Sequence, residues 1–178
     1  MEFKTVLKEL LTRFYEQNIS YALMGGFAMG LWGAGRTTVD IDFLVNRDDI
    51  DKVDKIMHAL GYECRYRSEN VSQYVSPLKI FGEVDFLHAF REASIQMLQR
   101  AVEKEVFAAI KIKTLIPEDI IGLKLQAIKN NPKRQHGEIE DIMFLIENYK
   151  NEINWSLIEQ YVKILNMEEL YTQICKKR

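Results

Sequence analysis

Asp40 and Asp42 stand one residue apart in the run Arg36-Thr37-Thr38-Val39-Asp40-Ile41-Asp42-Phe43-Leu44-Val45, shortly after the turn Met24-Gly25-Gly26-Phe27-Ala28-Met29-Gly30. Side chains on a strand alternate with period two. A strand over residues 38–45 therefore puts Thr38, Asp40 and Asp42 on one face and Val39, Ile41 and Phe43 on the other. The two aspartate Cα atoms are then about 6.6 Å apart, so both carboxylates could converge on a divalent cation. Downstream, Val84-Asp85-Phe86-Leu87 sets a third strand aspartate opposite its apolar neighbours. Two-metal phosphoryl transfer needs carboxylates on a rigid platform around ions about 3.5–4 Å apart, and neighbouring strands about 4.8 Å apart provide one. Gly25 and Gly26 have no Cβ, so phosphate oxygens could approach backbone N–H groups where a helix begins.

The elements that must hold these residues are legible from period and punctuation. Phe3, Val6, Leu7, Leu10, Leu11 and Phe14 recur at helical spacing, and that helix ends near Asn18. Residues 19–24 read as a short buried strand, 27–32 as a helix on the sheet, and 38–45 as the aspartate strand. Asn46 is placed to cap a helix whose stripe is Ile50, Val53, Ile56, Met57 and Leu60 and which Gly61 stops. Residues 62–66, 71–75, 79–81 and 84–87 read as strands of a small antiparallel meander. Residues 93–102 are helical by period, and 108–115 form one more strand. Pro117 opens a helix that runs to Asn130-Asn131-Pro132, and further helices cover about 138–149 and 155–174. The expected organisation is one compact unit, with a core over residues 1–116 and a helical segment over 117–178 packed on it.

The chain has 178 residues, 47% hydrophobic and 28% charged, enough for a sizeable core. No stretch approaches the roughly 18 apolar residues of a membrane span, and the charged, interrupted N-terminus is unlike a signal peptide, so a cytoplasmic location is expected. A net charge of −2 argues against a strongly electrostatic nucleic-acid binder, although basic clusters at 129–136 and 176–178 keep a polyanionic partner open. Cys64 and Cys175 have no metal-ligand spacing and read as reduced, buried or half-buried thiols. His58, His88 and His136 are too scattered to form a metal set. Phe27, Met29, Leu31 and Trp32 read as core packing, and Tyr15, Tyr21, Tyr62, Tyr66 and Tyr74 as sheet and core residues. Neither Gly-x-x-x-x-Gly-Lys-Ser/Thr nor Gly-x-Gly-x-x-Gly occurs, which disfavours P-loop and dinucleotide-binding chemistry.

Lys124 breaks its helix's pattern. The residues three and four positions away are Ile120, Ile121, Ala127 and Ile128, so the lysine projects from the apolar stripe. Either it snorkels or it reaches toward a phosphate. Asp141, in the acidic run Glu138-Ile139-Glu140-Asp141, either borders a nucleotide or answers the helix macrodipole.

Gly25-Gly26, a gap of thirteen residues, Asp40-Ile41-Asp42 and a later strand aspartate resemble the nucleotidyltransferase superfamily of the polymerase-beta kind. Residues 36–42 and Ile116-Pro117-Glu118-Asp119-Ile120-Ile121-Gly122-Leu123-Lys124 further resemble the abortive-infection and toxin-type members and the minimal antibiotic-modifying ones. The resemblance implies an α/β (α+β) minimal nucleotidyltransferase fold, a short mixed sheet flanked by helices with a C-terminal helical segment. It implies transfer of a nucleoside monophosphate from an NTP to a hydroxyl, with two Mg²⁺ ions as cofactors. Asp40 and Asp42 would bind the metal carrying the triphosphate, and Asp85 would complete the metal site or act as general base. Gly25, Gly26, Arg36, Thr37, Lys124 and Asp141 would contact the nucleotide. The local match near Asp141 is imperfect, since Gly137 stands where the family carries lysine. The acceptor implied is RNA, protein or a small molecule such as an antibiotic. The alternative is a catalytically silent nucleotide- or partner-binding module of a toxin–antitoxin pair.

Overall fold

The computed structural model describes residues 2–35, 38–108 and 110–176. The chain divides into two compact units, residues 1–115 and 116–178. The first is a seven-stranded mixed sheet with helices. Its strands are β1 (Tyr21–Met24), β2 (Asp40–Asn46), β3 (Glu63–Arg67), β4 (Val71–Val75), β5 (Glu83–Ala89), β6 (Val102–Val106) and β7 (Ile110–Thr114), in the spatial order β3-β4-β5-β2-β1-β7-β6. Its helices are α1 (Phe3–Glu16), α2 (Gly25–Leu31), α3 (Ile50–Ala59) and α4 (Glu92–Arg100). This is the mixed α/β class expected, and no helix among the described residues is long and apolar enough to cross a membrane.

β2 is central. It pairs antiparallel with β1 and parallel with β5, and the parallel register sets Asp42 beside Asp85 and Phe43 beside Phe86. On the face away from the aspartates, Phe43 and Phe86 stack at 5.8 Å between centroids. Phe14 of α1 meets both rings, at 5.6 and 6.3 Å, and Tyr74 of β4 packs edge-on against Phe86 at 5.7 Å. All four side chains are fully buried. Tyr74 donates its hydroxyl to Asp54 Oδ1 of α3 at 2.7 Å, so α1 and α3 together close this side.

The structure departs from several sequence readings. Residues 79–81 form a 3₁₀ turn rather than a strand, ahead of Gly82 at φ +63°. The meander is antiparallel only as far as β3-β4-β5, because β5 continues into the main sheet alongside β2. β2 begins at Asp40: Val39 lies outside the strand and is 75% exposed, since β5 supplies no partner before Glu83. β6 went unread because Glu103, Lys104 and Glu105 make it an exposed edge strand without an apolar face. Asn46 caps a 3₁₀ turn, Arg47–Asp49, ahead of α3. Cys64 is exposed, on edge strand β3, rather than buried. Tyr15 is 87% and Tyr66 54% exposed, whereas Tyr62 and Tyr74 are buried.

The second unit consists of α5 (Pro117–Asn130), α6 (Gln135–Tyr149), α7 (Trp155–Leu165) and α8 (Glu168–Lys176). The single helix expected over 155–174 is broken at Asn166, whose left-handed φ of 52° ends α7. Within this unit α5 packs on α6 and α7. Tyr161 donates its hydroxyl to the fully buried Asp119 at 2.5 Å, and Glu118 Oε1 accepts the Asn154 N–H at 2.7 Å, which fixes α7 on α5.

His88 is a buried polar residue on the core side of β5. Its Nδ1 is 3.0 Å from the Glu69 carbonyl and so carries a proton, leaving Nε2, 3.0 Å from Ser72 Oγ, as an acceptor. Burial lowers its pKa, the hydrogen bond to Glu69 opposes this, and the Arg67 and Arg47 charges add to the lowering. The unfolded chain, with the histidine near 6.5, then takes up a proton that the folded chain resists. The contribution is complete above that value and falls as pH drops through it. The urea midpoint is expected to fall between pH 7.5 and 5.5, with a flatter slope in His88→Asn; parallel profiles for the two proteins would contradict this.

Candidate active site

β2 and β5 are built alike. Ile41 and Phe43, and Val84 and Phe86, are fully buried on the core side, so the residues between them must face the other way. Asp40, Asp42 and Asp85 consequently share a face, with Asp42 and Asp85 as register partners. The sequence reading sets these carboxylates on neighbouring strands without a register; the parallel β2–β5 ladder supplies it.

Each carboxylate is held by a different device. Thr38 Oγ1 lies 2.7 Å from Asp40 Oδ1 and 3.0 Å from the Asp40 carbonyl, so its one proton ties the strand entrance to the aspartate. Gln73, the register partner of Asp85 on β4, donates Nε2–H to Asp85 Oδ2 at 2.8 Å. Asp85 Oδ1 is buried and has no hydrogen-bond partner among the described residues. Burial raises the Asp85 pKa, the Gln73 hydrogen bond opposes it, and the negative charges of Asp40 and Glu83 raise it further. A desolvated carboxylate oxygen left without a hydrogen bond is costly unless a cation or a proton donor meets it.

Asp42 is seated against the glycine turn. Gly25 has φ +66°, and a Cβ built there would fall within the Asp42 carboxylate. A Cβ on Gly26 would come within 3.1 Å of the Thr38 side chain. The Gly-Gly pair therefore lets the first turn of α2 lie directly on the aspartate strand.

Among the described residues, no three His, Cys, Asp or Glu side chains stand closely enough together, as placed, to hold a metal ion. The donor chemistry nevertheless suits a hard divalent cation: all-oxygen ligands on one sheet face, one of them an unsatisfied buried oxygen. Arg36 and Thr37 lie outside the described residues. In the helical unit, Lys124 and Asp141 are brought together: Lys124 Nζ donates to Asp141 Oδ2 at 2.5 Å and Glu138 Oε2 at 2.7 Å, and Arg134 contacts Glu138 Oε1 at 2.5 Å. Glu138 and Asp141 are buried, so the lysine projecting from the apolar stripe meets carboxylates that need it.

Two participants carried no assigned role in the sequence. Alternation puts Thr38 on the aspartate face, but its bond to Asp40 depends on the bend at Val39, ahead of the strand. Gln73 is one of many polar residues on short strands, and only the β4–β5 register marks it. Gly25→Ala is expected to destabilise the fold by about 1–3 kcal/mol through left-handed strain and to displace the Asp42 carboxylate. Urea denaturation together with manganese titration checks both; unchanged stability and cation affinity would show that the glycine contact is incidental.

Comparison with solved structures gives the same fold at low identity. The antibiotic-resistance factor ANT(2″)-Ia matches with a TM-score of 0.67 and 15% identity over 97% of this chain and 97% of that chain. A second structure of that factor, in complex with adenylyl-2″-tobramycin, gives 0.66 and 16% over 93% and 97%. An antigenic nucleotidyltransferase-like protein from Paracoccidioides brasiliensis gives 0.57 and 19% over 97% and 92%. The lincosamide antibiotic adenylyltransferase LnuA, bound to lincomycin, gives 0.54 and 15% over 79% and 94%. Comparison with curated protein sequences gave no match. The model of a family described as uncharacterised nucleotidyltransferase matches residues 2–176, nearly the whole chain, and the protein belongs to that family.

Proposed function

We propose that this protein transfers a nucleoside monophosphate from an NTP to an acceptor hydroxyl, with Asp40, Asp42 and Asp85 as the catalytic carboxylates. The observation that carries the reading is the lateral pairing of Asp42 with Asp85 on adjacent parallel strands, with Asp40 on the same face and the Gly25 backbone against Asp42. Membership of a nucleotidyltransferase family supports it, and so do structural neighbours that include an adenylyltransferase and a factor holding an adenylylated antibiotic.

In this reading Asp40, Asp42 and Asp85 would hold two Mg²⁺ ions, which when bound neutralise the triphosphate and polarise the transferred phosphoryl group. The chain's own groups do the positioning. Gly25 and Gly26 present N–H donors at the first turn of α2 to phosphate oxygens. Thr38 and Gln73 fix the Asp40 and Asp85 rotamers by one hydrogen bond each, leaving the second oxygen of each carboxylate for other partners. Asp85 Oδ1 is the oxygen available to a cation or to the proton of an acceptor hydroxyl. By family resemblance Arg36, Thr37, Lys124 and Asp141 would be nucleotide ligands. An ammonium has three N–H donors, so the two carboxylates on Lys124 leave capacity for a phosphate oxygen.

The test is incubation of wild type, Asp40→Asn, Asp42→Asn and Asp85→Asn with α-labelled NTPs, magnesium and separate pools of RNA, protein and hydroxylated small molecules. Label transfer is expected from wild type, absent in Asp40→Asn and Asp42→Asn, and reduced roughly 10²–10⁴-fold in Asp85→Asn. Equal transfer by wild type and Asp42→Asn would refute the assignment. Magnesium-dependent NTP binding without transfer to any pool would identify a silent binding module instead.

A further inference from the structure

The carboxyl ends of β2 and β5 border a cleft that the candidate active site does not use. Arg47, Asp48, Asp51, Arg67, Glu69 and His88 line it over the buried Ile50, and its volume is about 500 Å³. β2 runs about 20 Å from Asp40 to Asn46, so the cleft lies at the far end of that strand from the first carboxylate. In open α/β sheets ligands occupy crevices at the carboxyl ends of parallel strands, and β2 and β5 are a parallel pair that ends here. A volume of this order is that of a small-molecule site.

Arg47 is held in this cleft without being satisfied. Its Nη2 donates to the Glu69 carbonyl at 2.9 Å, and its guanidinium carbon lies 3.4 Å from the Phe90 ring centroid. Its Nε is buried and has no hydrogen-bond partner among the described residues. The Nε–H and a neighbouring Nη–H form one edge of a planar fork that matches a carboxylate bidentately. A buried donor without an acceptor is costly, and the stack on Phe90 holds this one ready for an oxyanion. The remaining charges decide which kind. Arg67 is committed to α3, 2.9 Å from Asp51 and 3.5 Å from Asp54. Burial lowers the His88 pKa, the Glu69 hydrogen bond opposes this, and the Arg67 and Arg47 charges lower it further, so the imidazole adds no cation at neutral pH. Asp48 and Glu69 are exposed and make no ion pair with another described residue. One open guanidinium edge beside two unpaired carboxylates disfavours a multiply charged anion and complements a molecule that carries both signs.

We propose that this cleft is a second binding site and takes a small zwitterion of the amino-acid class, its carboxylate on the Nε edge of Arg47 and its ammonium toward Asp48 and Glu69. The inference is independent of the transferase reading, because no residue of the carboxylate row takes part in it.

Amide chemical-shift titration of the full chain with glycine, acetate, methylammonium and inorganic phosphate tests it, using wild type, Arg47→Lys and the double variant Asp48→Asn, Glu69→Gln. Glycine is expected to bind most tightly, with shifts at residues 46–51, 67–70 and 88–90. Arg47→Lys keeps the charge but loses the planar fork, and weakens glycine and acetate about tenfold. The double variant weakens glycine to the level of acetate and leaves acetate no weaker. Dispersed amide spectra for each variant separate these losses from unfolding. Equal glycine binding by wild type and Arg47→Lys, phosphate bound above glycine, glycine binding that never saturates, or shifts centred on the carboxylate row would each overturn the proposal. Glycine binding unchanged in the double variant would overturn the zwitterion assignment, since the ammonium would then have no partner in the cleft.

Discussion

The site depends on the stacked pair Phe43 and Phe86. These rings lie on the buried side of two adjacent parallel strands, one residue past Asp42 and Asp85, and Phe14 and Tyr74 hold them from α1 and β4. A slip of one residue in either strand would put an aspartate into that aromatic core and a phenylalanine into the carboxylate row. The cost of burying a lone carboxylate among four aromatic rings far exceeds what a shifted ladder could recover. Core packing on one face therefore sets the geometry of the other.

That geometry is electrostatically unfavourable alone. Asp40, Asp42 and Asp85 stand together with Glu83 nearby, and Asp85 carries a buried oxygen with no hydrogen-bond partner among the described residues. Thr38 and Gln73 satisfy one oxygen each without supplying net charge. The side-chain bonds that orient Asp40 and Asp85 come from neutral donors, a hydroxyl and an amide. The close seat of Asp42 on Gly25 brings glycine backbone, rather than a side chain, against the carboxylate.

The helical unit handles buried charge in the opposite way. Lys124 is enclosed by Glu138 and Asp141, Arg134 backs Glu138, and Asp119 receives the Tyr161 hydroxyl. Here Glu138 and Asp141 are matched by cations, and Asp119 takes the Tyr161 hydroxyl on one of its two oxygens, which locks α5 against α6 and α7. Lys124 drew attention in the sequence because a charge sat in an apolar stripe. The structure supplies its immediate partners, two carboxylates one helix away.

How much was legible beforehand follows from the range of the interactions. The helix ends, the glycine turn, the alternation about Asp40 and Asp42, and Asp85 opposite Val84 and Phe86 are local, written in period and punctuation, and the family resemblance rests on those same residues. The 3₁₀ turn at 79–81, the edge strand β6, the break at Asn166 and the exposure of Cys64, Tyr15 and Tyr66 were not legible. Each is decided by which strand or helix lies alongside: β6 carries no apolar face of its own, and Cys64 looks like a core residue until β3 proves to be an edge. Gln73 and Tyr66 join the carboxylate row only because the β3–β4–β5 ladders meet β2 through its distant pairing with β5, and Tyr66 does so through a register shift with no residue signature. The sequence by itself determined which side chains alternate and where the chain turns, because those depend on nearest neighbours. The tertiary structure alone decided which strands became neighbours, because that choice minimises the exposed surface of the whole aromatic core.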